Sequence, residues 1–199
     1  MRRLTVADMK RANVPSRFWG VKLSLIPDYL QHKEKVRRYL ERMGEMMEQG
    51  VGLFLYSSEN STGKTSIAVL VLKQVLRLGG TAYFEESGRL KASLIRTEEF
   101  EENIPIERRI RMVDLLVLDD IAKEYRTESG FAENTIENIL RDRSQNMKTT
   151  ILTSNLVPNK MEQVYSADLA ALLRETTIPL QVSGYDWRAA KAQELRQLL

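Results

Sequence analysis

The strongest constraint on this chain is a series of short apolar runs set between longer stretches of helical period. Residues 52–57 and 114–118 are almost wholly apolar, the pattern of strands buried on both faces of a sheet rather than of strands with one wet face. Residues 81–84, 149–154 and 178–182 add three runs with β-branched or aromatic content. Between these runs, residues 29–49 carry Val36, Tyr39, Leu40, Met43, Met46 and Met47 at three- and four-residue steps. Residues 130–143 carry Ala132, Ile136, Ile139 and Leu140 on one stripe, and both patterns have the period of an amphipathic helix. Further helices are predicted over 64–78, as two short segments within 88–111, over 167–175 and over 187–198. Gly50 ends the helix before the first strand, and Gly79 with Gly80 ends the one after it. Strands alternating with helices predict a parallel α/β sheet covered on both faces.

With 43% apolar and 29% charged residues, the 199-residue chain has the composition of one packed domain with a short arm. No cysteine is present, so neither disulfides nor thiolate metal sites contribute, and packing alone must hold the fold. A cytoplasmic location is expected, because no apolar run reaches the ~18 residues of a membrane span and the first ten residues lack the apolar centre of a signal peptide. The net charge of +3 permits a nucleic-acid or acidic-protein partner without demanding one. Residues 1–28, with Arg2, Arg3, Lys10, Arg11, Arg17, two prolines and an exposed Phe18 and Trp19, are predicted to be an irregular basic arm; residues 29–199 form the domain. His32, the only histidine, lies on a helix without a Ser or acidic partner and is expected at the surface. The methionines at 43, 46 and 47 are expected to fill core, and Trp187 to pack the last helix on the sheet.

Chemistry enters between the first strand and the helix after it. Ser58, Glu59, Asn60, Ser61, Thr62, Gly63, Lys64 and Thr65, followed by Ser66, have the setting and ending of a phosphate-binding loop. Backbone N–H groups there would face the phosphates of ATP, Lys64 would reach the β and γ groups, and the Thr65 hydroxyl would complete the shell of Mg²⁺. The pattern asks for glycine at position 58 and often at 61, where this chain has serine, whose β-carbon penalises a positive φ. Glu59 must turn to solvent to avoid the anion. The competing reading is an ordinary strand-turn-helix with a chance Gly-Lys-Thr.

Leu115, Leu116, Val117 and Leu118 lead into Asp119 and Asp120, so a buried strand delivers two carboxylates to the sheet's carboxyl edge. Asp119 would hold Mg²⁺ and Asp120 would polarise the attacking water. Two adjacent acids with no neighbouring base repel one another unless a cation is close, which disfavours a simple solvated turn. Aspartate in place of the commoner glutamate at 120 predicts slow hydrolysis. Asn155, after Thr153 and Ser154, would place an amide on the same edge to bond a γ-phosphate or the water; the alternative is a turn former.

With these strand ends in order, the chain resembles the AAA+ ATPases of the DnaC and IstB kind, bacterial and phage helicase loaders and transposition helpers. The resemblance covers residues 14–188. It rests on Val14, Pro15, Ser16, Arg17 and Phe18, on the stretches 58–65, 115–120 and 150–155, and on Leu172, Leu173 and Arg174. Gly184, Tyr185, Asp186, Trp187 and Arg188 complete it. It implies a three-layer P-loop NTPase with a five-stranded parallel sheet of order 5-1-4-3-2, and Asn155 as first sensor. It also implies Arg174 as an arginine finger acting on ATP in a neighbouring subunit, and Arg188 as second sensor. The alternative for Arg174 is a solvated cation near a helix C-terminus.

The implied function is an ATPase that loads a replicative DNA helicase, assembling as nucleotide-dependent homo-oligomers on single-stranded DNA. A transposase helper, a nucleotide-binding scaffold with little hydrolysis and a small-molecule kinase are the alternatives. Loaders carry a separate N-terminal helicase-binding domain. Either the arm with Phe18 and Trp19 does the docking here, or the chain is a fragment. Arg89, Lys91 and Arg96 lie where relatives face single-stranded DNA, with a solvated basic face as the other reading.

Overall fold

The computed structural model describes residues 2–97, 104–121, 131–163, 165–187, 189, 193 and 196, with side chains at all of these except 94–97, 104–105, 131–133 and 163. Five strands form one parallel sheet: β1 Gly52–Tyr56, β2 Ala82–Glu86, β3 Leu115–Ile121, β4 Thr149–Ser154 and β5 Thr177–Gln181. Their order, β2-β3-β4-β1-β5, is the expected 5-1-4-3-2 read from the other edge. Central β1, β3 and β4 are apolar on both sides. Leu53, Leu55, Val117 and Ile151 enter one core, while Phe54, Leu116, Leu118 and Leu152 enter the other.

Helices cover both faces. On the first lie α2 Gln31–Glu41, α3 Met43–Glu48 and α4 Lys64–Arg77, whose Val36, Met43 and Val71 are fully or almost fully buried. On the second lie α5 Ser87–Thr97, α6 Ile104–Met112, α7 Phe131–Gln145 and α8 Ala167–Thr176, whose Leu90, Ile110, Ile136 and Leu169 fill the other core. Arg143 of α7 is also fully buried, and its guanidinium donates to the carbonyls of Ile110 at 2.7 Å, Val113 at 2.9 Å and Thr149 at 2.6 Å. One cation thereby ties the end of α6 to the start of β4. The predicted helix over 187–198 falls largely outside the described residues.

Several boundaries differ from expectation. The helix predicted over 29–49 is two, because Arg42, at φ −95° and ψ 16°, breaks the regular turn between α2 and α3. Strand β3 runs on through Asp119, Asp120 and Ile121, since Ile121 pairs with Ser154 after a register shift. The arm is also not irregular. The helix α1, Val6–Arg11, starts with a capping box in which Thr5 and Asp8 satisfy each other's backbone N–H groups. Met9, Ala12, Val14 and Ile26 are buried in the same core as β1.

The arm covers a sheet edge. Phe84 of edge strand β2 donates its N–H to Ala12 O at 2.9 Å, and Asn13 Nδ2 donates to Phe84 O at 2.9 Å, so backbone groups that would template aggregation are occupied. Phe18 and Trp19 are half-buried against the core instead of exposed, with the indole N–H of Trp19 donating to Val14 O at 2.8 Å. Lys73 of α4 fastens the turn after them by donating to Trp19 O and Val21 O at 2.9 and 2.7 Å.

His32 is likewise buried rather than at the surface, because α2 lays that face on the protein; burial pushes its pKa below the ordinary 6.5. The unfolded chain then binds the extra proton more tightly. Stability is therefore intact above pH 6.5 and falls as pH drops below it, by at most about 1.4 kcal/mol per pH unit. Urea midpoints between pH 7 and 5.5 should decline in wild type and be flatter in His32→Leu. Gly52 faces a harder limit, since a β-carbon there would stand 1.8 Å from Thr150 O on the neighbouring strand. Gly52→Ala is expected to cost about 2–4 kcal/mol by separating β1 from β4, measured by urea unfolding.

Candidate functional site

Where β1 ends, Ser57 N still pairs with Ser154 O at 3.2 Å, and the chain then leaves the sheet through residues 58–63 to enter α4. Gly63 takes φ 97° as the residue capping α4, which aims the first N–H groups of the helix at the loop. Ser61 adopts φ 63°, the left-handed conformation that glycine would take without strain. Ser58, Glu59 and Asn60 are exposed, so Glu59 faces solvent. Lys64 is buried, and its Nζ donates to Glu59 O at 3.1 Å, closing the loop on itself.

Thr65, one residue into α4, reaches across to β3. Its hydroxyl donates to Asp119, lying 3.0 and 3.2 Å from the two carboxylate oxygens. Thr153 of β4 donates to Asp119 Oδ1 at 2.7 Å and accepts from Asp120 N at 2.8 Å. This holds Asp120 at φ 61° and turns the strand end outward. Asp119 is buried, and burial pushes its pKa up; Thr153 and Thr65 oppose this, while Asp120 and Glu86 add repulsion. Glu86 is the register partner of Asp119 on β2, an acid that sequence spacing did not bring to this edge.

Between Ser61 and Gly63, the Thr62 hydroxyl is buried without a hydrogen-bond partner. A loop with an orphaned donor, helix N–H groups and a buried lysine has the chemistry to hold a polyphosphate. Among the described residues no cluster of three or more His, Cys, Asp or Glu side chains could chelate a metal. A Thr65 hydroxyl beside a crowded, buried carboxylate suits Mg²⁺, which uses few protein oxygens and keeps water and substrate phosphates as its other ligands.

Asn155 is half-buried just beyond β4, two residues after Thr153, and Ser66 is half-buried in the first turn of α4. Arg174, in the last turn of α8, makes its polar contacts with Glu162, at 3.1 and 3.2 Å. Lys91 is buried rather than facing solvent, which removes it from any phosphate-binding face; Arg89 is exposed, 3.6 Å from Glu86. Arg188 and the side chain of Arg96 lie outside the described residues.

Trp187 meets the loop before α4, while the last helix that it was expected to pack on the sheet lies largely outside the described residues. Its backbone N–H donates to Ser61 O at 3.0 Å, and its indole lies on Gly63. Nothing in its sequence spacing signals this, because the contact depends on how the chain turns after β5.

No family model matches the sequence, and no curated protein matches it. Solved structures do. "Crystal structure of the DnaC helicase loader" aligns at 21% identity and TM-score 0.75, over 85% of this chain and all of that one. "Crystal Structure of the DnaI" aligns at 21% identity and TM-score 0.71, over 87% and 93%. A DnaA from Aquifex aeolicus bound to AMPPCP aligns at 19% identity and TM-score 0.65, over 89% of this chain and 55% of that one. The chain has the AAA+ P-loop fold.

Asp119 concentrates unfavourable charge in the ligand-free protein. Asp119→Asn is expected to keep the acceptor for Thr65 and Thr153 while removing that charge, raising the Tm in EDTA by about 2–4 °C. Differential scanning calorimetry decides; a fall in Tm would show that the carboxylate is a net stabiliser without a cation.

Proposed function

We propose that the chain binds ATP with Mg²⁺ at loop residues 58–66 and hydrolyses it as a helicase loader of DNA replication. The observation that carries this is the bond from Thr65 to Asp119, which joins the start of α4 to the tip of β3 beside a buried lysine. The AAA+ fold, shared with structures described as a helicase loader and as a replication initiator, supports the replication setting.

In this reading Lys64 exchanges its bond to Glu59 O for the β- and γ-phosphate oxygens. Thr65 and Asp119 hold Mg²⁺, which when bound neutralises charge on the phosphates. Asp120 orients and polarises the attacking water, and Asn155 donates to the γ-phosphate from the tip of β4. Arg174 leaves Glu162 and acts on ATP of an adjoining protomer, offsetting charge that develops on the transferred group. Assembly into homo-oligomers on single-stranded DNA then follows nucleotide occupancy, and the assembly delivers a ring helicase.

One observation favours a second reading, a nucleotide-binding scaffold with little hydrolysis. Asp120 and Ser61 both hold left-handed backbone conformations, and a short, backbone-constrained Asp120 has limited reach toward a water. Measuring turnover beside binding separates the two.

Isothermal titration of ATP and Mg²⁺ into wild type and Lys64→Ala, repeated with single-stranded DNA, tests the proposal. Wild type should bind, Lys64→Ala should lose at least about tenfold in affinity, roughly 1.4 kcal/mol, and DNA should stimulate wild-type phosphate release. Equal affinities in the two proteins would overturn the site, and turnover indifferent to DNA would overturn the loader role.

A further inference from the structure

Two residues of the phosphate loop hold left-handed backbone conformations, Gly63 at φ 97° and Ser61 at φ 63°. Glycine occupies that region freely, but serine does so against its own β-carbon, and such a residue persists where its surroundings over-determine it. The surroundings here are a segment more than a hundred residues away in sequence. The backbone N–H of Trp187 donates to Ser61 O at 3.0 Å, fixing the peptide whose geometry is unfavourable.

The side chain of Trp187 completes the brace. Its Nε1 and Cδ1 lie 2.8 and 3.2 Å from where a β-carbon on Gly63 would stand, so the indole rests on the glycine itself. Tyr185 supports the indole in a T-shaped contact, with ring centroids 4.7 Å apart. Thr62, between the two contacts, keeps its buried and unpartnered hydroxyl. The loop is thus gripped on either side of a polar group that has no protein acceptor.

We propose that Trp187 is a positioning residue of the phosphate loop: it holds Ser61 and Gly63 in the anion-binding shape and shifts when a polyphosphate occupies the loop. This rests on the ATP-binding reading above. Serine at position 61 works because Trp187 supplies from outside the restraint that glycine would make unnecessary. Occupancy of the loop is thereby coupled to the segment after β5, where Val182 N still pairs with Tyr56 O at 2.9 Å.

The chain has two tryptophans, and the other, Trp19, is bonded to Val14 O within the arm, so emission from the two can be separated. The full chain is titrated with ATP and with pyrophosphate, each with Mg²⁺, following tryptophan emission and calorimetric binding in parallel. Wild type, Trp187→Phe, Trp187→Ala, Ser61→Gly and the Trp187→Ala/Ser61→Gly double variant are compared. Both ligands should shift wild-type emission, and neither should shift it in Trp187→Phe, where only Trp19 remains.

Trp187→Ala should bind about tenfold more weakly, Trp187→Phe within about threefold of wild type, and the double variant should recover to within about threefold. Calorimetric binding by wild type with unchanged emission, full affinity in Trp187→Ala, or failure of Ser61→Gly to rescue it would each overturn the proposal while leaving ATP binding intact. Absence of calorimetric binding by wild type would instead remove the ATP-binding reading, and this proposal with it.

Discussion

The hydroxyl of Thr65 and the carboxylate of Asp119 meet across a gap that only the sheet can set, and the site depends on that meeting. Thr65 belongs to the helix leaving β1, Asp119 to β3, and between these strands lies β4, whose Thr153 donates to the same carboxylate. The ends of β3 and β4 and the first turn of α4 are therefore joined through one acid. Interleaving β4 between β1 and β3 opens the crevice at the carboxyl ends of the strands, where ligands bind in sheets of this kind.

Burial gives this arrangement its tension. Asp119 is buried with Asp120 and Glu86 near it, and its charge is disfavoured there despite two hydroxyl donors. A divalent cation would relieve what the hydroxyls relieve only in part. Lys64 shows the complementary state, a buried cation bonded to a backbone carbonyl of its own loop. Both groups are held in place by the fold while retaining reason to exchange partners, which is what a site that binds and releases a charged ligand needs.

Much of this was legible in the residues. Buried strands announce themselves as apolar runs, and the acids that follow Leu118 emerge toward a strand end, so the α/β class was expected, with Thr65 and Asp119 on one edge of the sheet. Other features were not, because they come from long-range packing. Arg143 reads as one more charge on a helix, yet it is fully buried and joined to four backbone carbonyls. The arm reads as irregular because its apolar residues are scattered, whereas Met9, Ala12 and Val14 meet the core only when the chain follows the edge of β2. Histidine and lysine at 32 and 91 carry polar labels that say nothing of the face on which they fall. Trp187 touches the loop before α4 through a turn that local patterning does not specify.

The most direct measurement is a crystal structure of the chain with Mg²⁺ and a non-hydrolysable ATP analogue. It should show the triphosphate wrapped by residues 58–65, Lys64 released from Glu59 O, and the ion bound to the Thr65 hydroxyl with Asp119 beside it. An analogue seated elsewhere, with Thr65 still donating to Asp119 and no ion between them, would contradict the account.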